Sequence, residues 1–319
     1  MLALVFPGQG SQSIGMLATL AATHVSVRHT FELASTVLGY DLWTVVSAGP
    51  LEQLNQTECT QPAMLAAGIA TWRVWQERGG AQPAIVAGHS LGEFTALVCA
   101  GALDFADALA LVRDRGRFMQ EAVPVGSGAM AALLGLEDAA AEAACAEAAS
   151  GEVVEAVNYN APGQIVIAGQ TAAVERAIAA AKARGAKRAL ILPVSVPAHS
   201  SLLRGAALKL QDRLAQVTIR APRMTFISAV DASDYREPEA IRALLVKQLA
   251  SPVRWSATVL ALTARGATVV AECGPGKVLT ALNKRVERRP EVQCLAIEDD
   301  ATLQVALAAA QLTMGSAQS

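Results

Sequence analysis

Aromatic residues are scarce in this sequence of 319 residues, at 4%, whereas hydrophobic residues make up 53%. A chain of this length can bury a large core, and the scarcity of rings means that Ala, Val and Leu must fill most of it. An excess of either charge is also missing, since the formal net charge is -2. Such a balance provides no overall attraction to nucleic acid, so we expect no nucleic-acid partner.

Cysteine pairs and long apolar runs are absent as well. The five cysteines are scattered and form no C-x-x-C pair, which favours free thiols in a reducing compartment over disulfides or a zinc site. We therefore expect a cytoplasmic protein. No run of about 18 uncharged apolar residues predicts a membrane span, and the apolar start lacks the basic region of a signal peptide. The small, polar tail 315–319 is expected to be disordered.

Short apolar runs that end in glycine-bearing turns recur along the chain, at 2–6, 84–87 and 267–271. Strands that are apolar throughout are buried on both faces, as in a parallel sheet covered by helices. Helical patterns at 63–77 and 104–119 lie between these runs. The alternation predicts an α/β fold with a parallel sheet, which we interpret as α/β-hydrolase-like.

The middle of the chain has a different order of elements. Its patterns predict strand, helix, strand, strand, helix and strand at 129–136, 137–149, 153–159, 164–168, 171–184 and 189–196. This order is typical of a ferredoxin-like (βαββαβ) unit. We therefore predict a ferredoxin-like subdomain at 124–197, inserted into a discontinuous catalytic domain of residues 1–123 and 198–319.

Residues 88–92 read Gly-His-Ser-Leu-Gly and match the G-x-S-x-G pattern of a nucleophile elbow. An apolar strand precedes the motif and a helical pattern follows it, as the elbow requires. Such a turn exposes the Ser90 hydroxyl above the sheet edge, at a helix N-terminus that favours negative charge. An ordinary strand-to-helix turn with a capping serine is the alternative interpretation.

A serine nucleophile needs a base, and the chain has four histidines. His89 lies inside the elbow and should point away from the side chain of its neighbour. His24 and His29 lie in a polar helical stretch and should be solvated. His199 follows the last predicted strand of the middle unit, where the chain re-enters the large domain. This position favours His199 as the base, although a loop histidine with a structural role would fit the same pattern.

Two other glycine motifs are incomplete. Residues 8–10 follow a strand, but Ser13 replaces the third glycine of a dinucleotide-binding fingerprint. The Gly-Lys pair at 276–277 fails the P-loop pattern, because positions 271 and 278 are Ala and Val. A Cys/His cluster that would indicate zinc is also missing. We therefore expect neither a metal nor a permanently bound cofactor.

Six segments together resemble the malonyl-CoA:acyl carrier protein transacylases of bacterial fatty-acid synthesis. The resemblance extends from about Phe6 to Val286 and includes both the elbow and His199. The segments are Pro-Gly-Gln-Gly-Ser-Gln at 7–12, Gly-His-Ser-Leu-Gly-Glu at 88–93, Arg-Gly-Arg-Phe-Met-Gln at 115–120, Asn-Tyr-Asn-Ala-Pro-Gly-Gln at 158–164, Val-Ser-Val-Pro-Ala-His at 194–199 and Gly-Pro-Gly-Lys-Val-Leu at 274–279.

The resemblance implies a role for each member of a catalytic group. Ser90 would carry the malonyl ester, and His199 would take the serine proton and later return one to the leaving thiol. The backbone carbonyl of Gln248 would orient His199. The backbone N–H groups of Gln9 and Leu91 would form the oxyanion hole, where removal of one donor typically costs about 2.7–4 kcal/mol.

Arg115 resembles the arginine that binds the malonyl carboxylate in this family. A guanidinium offers two parallel donors that match a carboxylate, and a buried cation left unpaired should penalise acetyl-CoA. From chemistry alone, Arg113 and Arg117 are alternatives. Gln61 and Asn160 would contribute polar groups to the substrate pocket, or cap turns instead.

The resemblance also implies partners, namely malonyl-CoA as substrate and acyl carrier protein as acceptor. Because carrier proteins are acidic, a basic docking rim is expected. The candidate residues are Lys187, Arg188, Lys284 and Arg285, each of which could equally be a solvated surface charge. Phe94 and Ala198 depart from the Tyr and Ser that the family pattern leads us to expect. We expect a monomer and no contact with membranes.

Two other enzyme functions remain open from the sequence. A serine esterase would use the same elbow with an acid between Ser90 and His199, and Asp104, Asp107 and Asp114 lie in that interval. A carboxylate-binding Arg115 would have little use in a neutral-ester hydrolase. The malonyl transferase subunit of malonate decarboxylase would perform the same chemistry with another carrier.

Overall fold

The computed structural model describes residues 1–194 and 196–315, with side chains as far as Leu312. Its strands form two separate sheets. The strands are Leu2–Phe6 (β1), Ile85–Gly88 (β2), Gly128–Leu134 (β3), Val154–Ala161 (β4), Gln164–Gln170 (β5), Arg188–Ile191 (β6), Thr225–Ile227 (β7), Asp234–Tyr235 (β8), Val269–Cys273 (β9) and Gln293–Ile297 (β10).

Helices cover both sheets, and most of them fall between consecutive strands. They are Ala18–Thr23 (α1), Val25–Leu38 (α2), Leu42–Ala48 (α3), Leu51–Leu54 (α4), Thr57–Glu77 (α5), Gly92–Cys99 (α6), Phe105–Ala122 (α7), Asp138–Ala148 (α8), Thr171–Ala183 (α9), Arg204–Leu214 (α10), Pro238–Gln248 (α11), Trp255–Ala264 (α12), Val278–Val286 (α13) and Asp300–Gly315 (α14). Among the described residues, no helix is both long enough and apolar enough to cross a bilayer.

The larger sheet has the order β10-β9-β1-β2-β7-β8 and is parallel except for β8. Strand β1 lies in its centre, and its side chains alternate between two cores. Leu4 and Phe6 join the core beneath α2, α5, α6 and α7, whereas Val5 joins the core beneath α12 and α13. Burial on both faces explains why the strand is apolar at every position.

The smaller sheet has the order β4-β5-β3-β6 and is antiparallel throughout. Helices α8 and α9 cover one face with small side chains such as Ala144 and Ala177. The other face presents Met130, Val157 and Val166 towards the rest of the protein. Small residues on α8 and α9 allow these helices to lie close to the sheet.

Strand β4 connects the smaller sheet to the large domain. The Tyr159 N–H donates to the Val253 carbonyl at 2.9 Å, and the Val253 N–H donates to the Val157 carbonyl at 2.8 Å. In addition, Arg285 donates to the Pro162 carbonyl in the β4–β5 turn at 3.0 Å. These contacts fix the small sheet against the segment that follows α11 and against α13.

The α/β prediction is confirmed, and the strand–helix order of the middle unit agrees with the prediction. Two element boundaries differ from the prediction by more than three residues. The strand predicted at 189–196 ends at Ile191, because Pro193 has no N–H to continue the ladder; position 195 lies outside the described residues. The helix predicted at 63–77 begins at Thr57, and Pro62 lies inside it, where the missing N–H removes one hydrogen bond of the helix. Of the tail predicted to be disordered, Gly315 ends α14 and 316–319 lie outside the described residues.

Candidate active site

Ser90 occupies a sharp turn between β2 and α6 and has a φ of 53°, in the left-handed region. The glycines on either side make this turn possible. A Cβ on Gly88 would lie 1.9 Å from the carbonyl carbon of Gly92, and a Cβ on Gly92 would lie 2.0 Å from the Phe6 carbonyl oxygen. Strand and helix therefore approach more closely than any other residue type allows, and the serine side chain stands at the sheet edge, as an elbow requires.

The imidazole of His199 contacts the Ser90 hydroxyl. His199 Nε2 lies 2.7 Å from Ser90 Oγ, and Nδ1 lies 3.0 Å from the carbonyl oxygen of Gln248. A carbonyl oxygen can only accept, so Nδ1 carries the hydrogen and Nε2 is free to accept the serine proton. Burial, together with the nearby charge of Arg115, lowers the pKa of His199 to about 3, so the imidazole is neutral and available as a base at neutral pH.

The Arg115 guanidinium lies beside this pair and is 1% exposed. Its Nη2 donates to Ser90 Oγ at 3.2 Å and to Gln248 Oε1 at 3.0 Å, and its Nη1 donates to Gln61 Oε1 at 2.9 Å. Burial lowers the pKa of Arg115 to about 10, and the side chain is still charged at neutral pH. Every oxygen that it contacts belongs to a neutral group, so the site holds a cation that a bound carboxylate could neutralise.

A cavity of about 640 Å³ opens above these residues, between the elbow and the small sheet. Met130 and Leu192 form part of its wall from the small sheet, whereas Ile14 and Met119 line it from the large domain. Of the lining residues that the structure describes, Arg115 is the one with a permanent charge. The cavity therefore combines apolar walls with a single cation beside the nucleophile, which suits an acyl chain that ends in a carboxylate.

The two backbone donors assigned to the oxyanion hole both belong to residues that line this cavity, Gln9 and Leu91. Their loops approach each other closely, since a Cβ on Gly8 would lie 2.5 Å from the His89 carbonyl oxygen. Leu91 directly follows the nucleophile at the start of α6. This arrangement is compatible with the predicted oxyanion hole, which remains a prediction.

The two residues predicted to bind substrate have different surroundings. Gln61 is buried, faces the cavity and holds Arg115 while its amide donates to Met119 Sδ at 3.2 Å. Asn160 does not line the cavity; its Oδ1 lies 2.9 Å from Nε2 of His89. Asn158, two residues earlier, lines the cavity instead, and its buried Oδ1 has no hydrogen-bond partner among the described residues. A direct substrate contact is therefore better supported for Gln61 than for Asn160.

The other histidines do not reach Ser90. His89 contacts Asn160 as described and stacks at a tilt on Trp255, with 5.5 Å between ring centroids. His29 is exposed, as expected, with a side chain 63% accessible. The expectation that His24 is solvated is wrong: its side chain is 10% exposed and lies 2.8 Å from Asp300 at the start of α14. This pairing could not be predicted from neighbouring residues, because His24 and Asp300 are 276 positions apart along the chain.

The three acids that an esterase could have used lie elsewhere. Asp104 accepts from the Ala106 N–H and caps α7, and Asp107 is exposed. Asp114 accepts from Arg213 at 2.7 Å. The position that a triad acid would occupy beside His199 Nδ1 is taken by the Gln248 carbonyl.

All four residues of the predicted docking rim are exposed. Lys187 and Arg188 flank the start of β6, on the small sheet. Arg285 has a structural contact, since its guanidinium donates to Gln164 Oε1 at 2.6 Å as well as to the β4–β5 turn. Lys284 precedes it at the end of α13. Docking of a carrier protein at these residues remains a prediction.

Glu93 is a site residue that was not predicted from the sequence. It lies on α6 three residues after the nucleophile, is fully buried, and accepts from Ser228 Oγ at 2.7 Å and from the Ala229 N–H at 2.6 Å. Gln248 Nε2 donates to the second carboxylate oxygen. A charged residue in an otherwise apolar helix next to the elbow was the available signal.

Comparisons with known proteins agree with this geometry. Residues 3–311 match the acyl transferase domain family. A malonyl CoA-acyl carrier protein transacylase of Escherichia coli (strain K12) is 57% identical over 284 residues, which is 89% of this chain and 92% of the relative. Its counterpart in Bacillus subtilis (strain 168) is 43% identical over 307 residues, covering 96% of both chains.

Solved structures are equally similar. An acyl carrier protein S-malonyltransferase from Vibrio cholerae has a TM-score of 0.92 and 54% identity, and the match covers 95% of this chain and 99% of that one. A malonyl-transacylase in complex with a type II PKS acyl-carrier protein has a TM-score of 0.94 and 52% identity, covering 96% and 99%. The chain therefore belongs to the acyl transferase domain family and, within it, to the malonyl CoA-acyl carrier protein transacylases.

Proposed function

We propose that this protein transfers the malonyl group of malonyl-CoA to the phosphopantetheine thiol of acyl carrier protein, supplying fatty-acid chain elongation. One observation carries the proposal. The Ser90 hydroxyl lies 2.7 Å from the His199 imidazole and 3.2 Å from the Arg115 guanidinium, so a nucleophile, a base and a carboxylate-binding cation converge in one cavity. Family membership and the carrier-protein complex among the similar structures support the choice of substrates.

In the first half-reaction, Ser90 Oγ attacks the thioester carbonyl carbon of malonyl-CoA while its proton passes to His199 Nε2. The carbonyl oxygen becomes an oxyanion that the N–H groups of Gln9 and Leu91 would stabilise. When the intermediate collapses, the C–S bond breaks and His199 returns the proton to the leaving thiolate of coenzyme A. The product is a malonyl ester of Ser90.

In the second half-reaction the carrier thiol is the nucleophile and Ser90 is the leaving group. The phosphopantetheine thiol of acyl carrier protein gives its proton to His199 and attacks the ester carbonyl carbon. The C–O bond to Ser90 breaks, and His199 returns the proton to the serine oxygen. Because the first product leaves before the second substrate reacts, the kinetics are ping-pong. The Gln248 carbonyl stabilises His199 each time the imidazole becomes positively charged.

Arg115 provides the preference for malonyl over uncharged acyl groups. Its guanidinium contacts neutral oxygens, and a malonyl carboxylate would supply the charge that these oxygens lack. Acetyl-CoA has no carboxylate, so it enters beside a buried cation without neutralising it. The expected difference is one of acylation rate rather than of capacity to react, since the serine and its base are present for both donors.

Intact-mass spectrometry after brief incubation with each donor tests the proposal. We expect a malonyl adduct on the wild-type protein, a much slower acetyl adduct and no adduct on Ser90→Ala. Arg115→Ala should lose malonyl labelling while it retains part of the acetyl labelling. Equal labelling of the wild type by both donors would refute the carboxylate-binding role, and a malonyl adduct on Ser90→Ala would refute the nucleophile.

We further propose a cytoplasmic monomer without a permanently bound cofactor, in which residues 1–123 and 198–319 form an α/β-hydrolase-like domain and 124–197 a ferredoxin-like subdomain. The parallel strands around the elbow support the first description. The strand order β4-β5-β3-β6 with two helices on one face supports the second. Sedimentation equilibrium tests the oligomeric state.

A further inference from the structure

Glu93 and Gln248 form a buried connection between the interior of the large domain and Arg115. Both side chains are at most 1% exposed. The Glu93 carboxylate is held by Ser228 and Ala229 on one side and receives the Gln248 amide on the other. None of these contacts reaches a reacting atom directly, so Glu93 takes no part in the proton transfers described above.

The orientation of the Gln248 amide is determined by its partners. Its Nε2 group donates to the Glu93 carboxylate and to the Ser90 carbonyl oxygen, the latter at 2.9 Å, and neither of these groups can donate in return if Glu93 is ionised. The amide oxygen must then point the other way, where it accepts from Arg115 Nη2 at 3.0 Å. An amide turned by half a rotation would place its NH₂ group against the guanidinium, and two donors would face each other.

We propose that Glu93 is a positioning residue for malonyl binding: through the Gln248 amide it holds the Arg115 guanidinium beside Ser90. The inference rests on the proposed function, because it concerns the malonyl preference of the same site. The proposal concerns the direction of the hydrogen bonds. The Glu93 carboxylate accepts on both sides, from Ser228 and Ala229 and from Gln248, so Gln248 presents its oxygen to Arg115. A glutamine at position 93 has a single acceptor oxygen and can satisfy only one of these two sides.

The opposite charges of Glu93 and Arg115 also support a positioning role for Glu93. Arg115 is a buried cation with neutral contacts, and Glu93 is the nearby buried group of opposite sign whose attraction favours the charged guanidinium. Burial raises the pKa of Glu93, the hydrogen bonds from Ser228, Ala229 and Gln248 and the charge of Arg115 oppose that rise, and the resulting pKa is about 7. The carboxylate thus offsets part of the cost of burying Arg115 without contacting it, and leaves the guanidinium free to bind substrate.

The test compares Glu93→Gln with a matched variant, Glu272→Gln. Glu272 is also fully buried with a pKa raised to about 7, but it caps α13 by accepting from the Leu279 and Thr280 N–H groups, away from Arg115. Both variants remove one buried carboxylate. Acylation rates with malonyl-CoA and acetyl-CoA are measured for each by rapid quench and intact mass, together with the thermal midpoint.

For Glu93→Gln we expect the malonyl acylation rate to fall about 100-fold, as small misplacements in a site typically cause. The acetyl rate should fall much less, so the malonyl-to-acetyl ratio drops about tenfold or more. Glu272→Gln should lose thermal stability with an unchanged ratio. If Glu93→Gln also keeps the wild-type ratio, Glu93 is structural and the inference is wrong.

A second variant covers the case in which Glu93→Gln does not fold. Glu93→Asp retains the charge but shortens the side chain, so Gln248 must shift to reach it, and the ratio should fall to an intermediate value. An unchanged ratio in Glu93→Asp alone would overturn the inference. A wild-type protein that acquires no malonyl adduct would instead refute the proposed function, so the two failures are distinguishable.

Discussion

Ser90 and His199 meet with 2.7 Å between Oγ and Nε2, although 109 positions separate them, and both have left-handed backbones with φ values of 53° and 66°. Such a conformation typically costs about 1–3 kcal/mol for a residue other than glycine, and it persists where the surroundings enforce it. At Ser90 the close packing at Gly88 and Gly92 holds the backbone in this conformation. At His199 hydrogen bonds in the loop that follows have the same effect. The reactive pair is therefore held by packing and hydrogen bonds.

The glycines of the elbow should tolerate no side chain. We expect Gly88→Ala to destabilise the protein by more than about 3 kcal/mol, because its Cβ would lie 1.9 Å from the backbone of Gly92 and neither segment can move away. Gly205→Ala is the control: its Cβ would meet nothing within 4 Å on the exposed side of α10, and it should be neutral or stabilise by up to about 1 kcal/mol. Urea denaturation measures both, and equal effects would contradict the argument.

The pKa of His199 should depend on the positive charge of Arg115. With the pKa of His199 lowered to about 3, its imidazole should remain neutral from neutral pH down to about pH 5. Arg115→Gln removes a positive charge that disfavours the imidazolium, so the pKa of His199 should rise towards the value that burial alone sets. The ¹⁵N shifts of the imidazole, assigned with His199→Gln, follow the change. A pKa that falls in Arg115→Gln would show that another group controls the base.

The loop after His199 should depend on a carboxylate of the small sheet. Glu155, on β4, accepts from the Ser201 N–H at 2.8 Å and from Ser201 Oγ at 2.7 Å. Glu155→Ala frees this loop, and we expect acylation by malonyl-CoA and acetyl-CoA to slow equally, by about tenfold. The rates come from intact-mass time courses.

Glu142→Ala is the control for this experiment, since it removes another carboxylate of the small unit, one that accepts from the Tyr159 hydroxyl at 2.6 Å. It should leave both rates unchanged. A loss confined to malonyl-CoA in Glu155→Ala would mean that Glu155 acts on the carboxylate site rather than on the base.

Reversing the charge of the basic residues near β6 should distinguish binding of the carrier protein from acylation of Ser90. If acyl carrier protein binds near β6, Lys187→Glu and Arg188→Glu should raise KM for the carrier by about tenfold and leave labelling by malonyl-CoA unchanged. Lys182→Glu, on the exposed side of α9 in the same unit, provides a control of equal charge change. Steady-state transfer at several carrier concentrations gives KM. A uniform effect of all three variants would indicate a general field effect.

Local sequence patterns predicted the strand, turn and helix that position Ser90. The apolar run at 84–87 and the glycine placement at 88–92 were sufficient, because a strand, a tight turn and a helix are each specified within a few residues. The same holds for the strand–helix order of the middle unit. His199 was selected by elimination among four histidines and by resemblance, and its contact with the Gln248 carbonyl came from resemblance alone.

Contacts between distant segments were not predictable in this way. Glu93 stood out only as a charged residue in an apolar helix, and its partners were not predictable, since Ser228 and Ala229 follow a strand more than a hundred residues later. His24 was expected in solvent because nothing near it indicated α14. Asn160 was expected to contribute a polar group to the pocket or to cap a turn; its Oδ1 lies beside His89 Nε2, whereas Asn158 lines the cavity.

The order of these residues along the chain has a consequence for biosynthesis. Translation produces Ser90 well before His199, and Gln248, whose carbonyl orients the imidazole, comes 158 positions after the serine. A nascent polypeptide that has emerged only as far as the small sheet thus displays a hydroxyl that no base can deprotonate. The reactive pair and the carbonyl that orients it can therefore assemble only after residue 248 and the strand β9 that pairs with β1 have been synthesised.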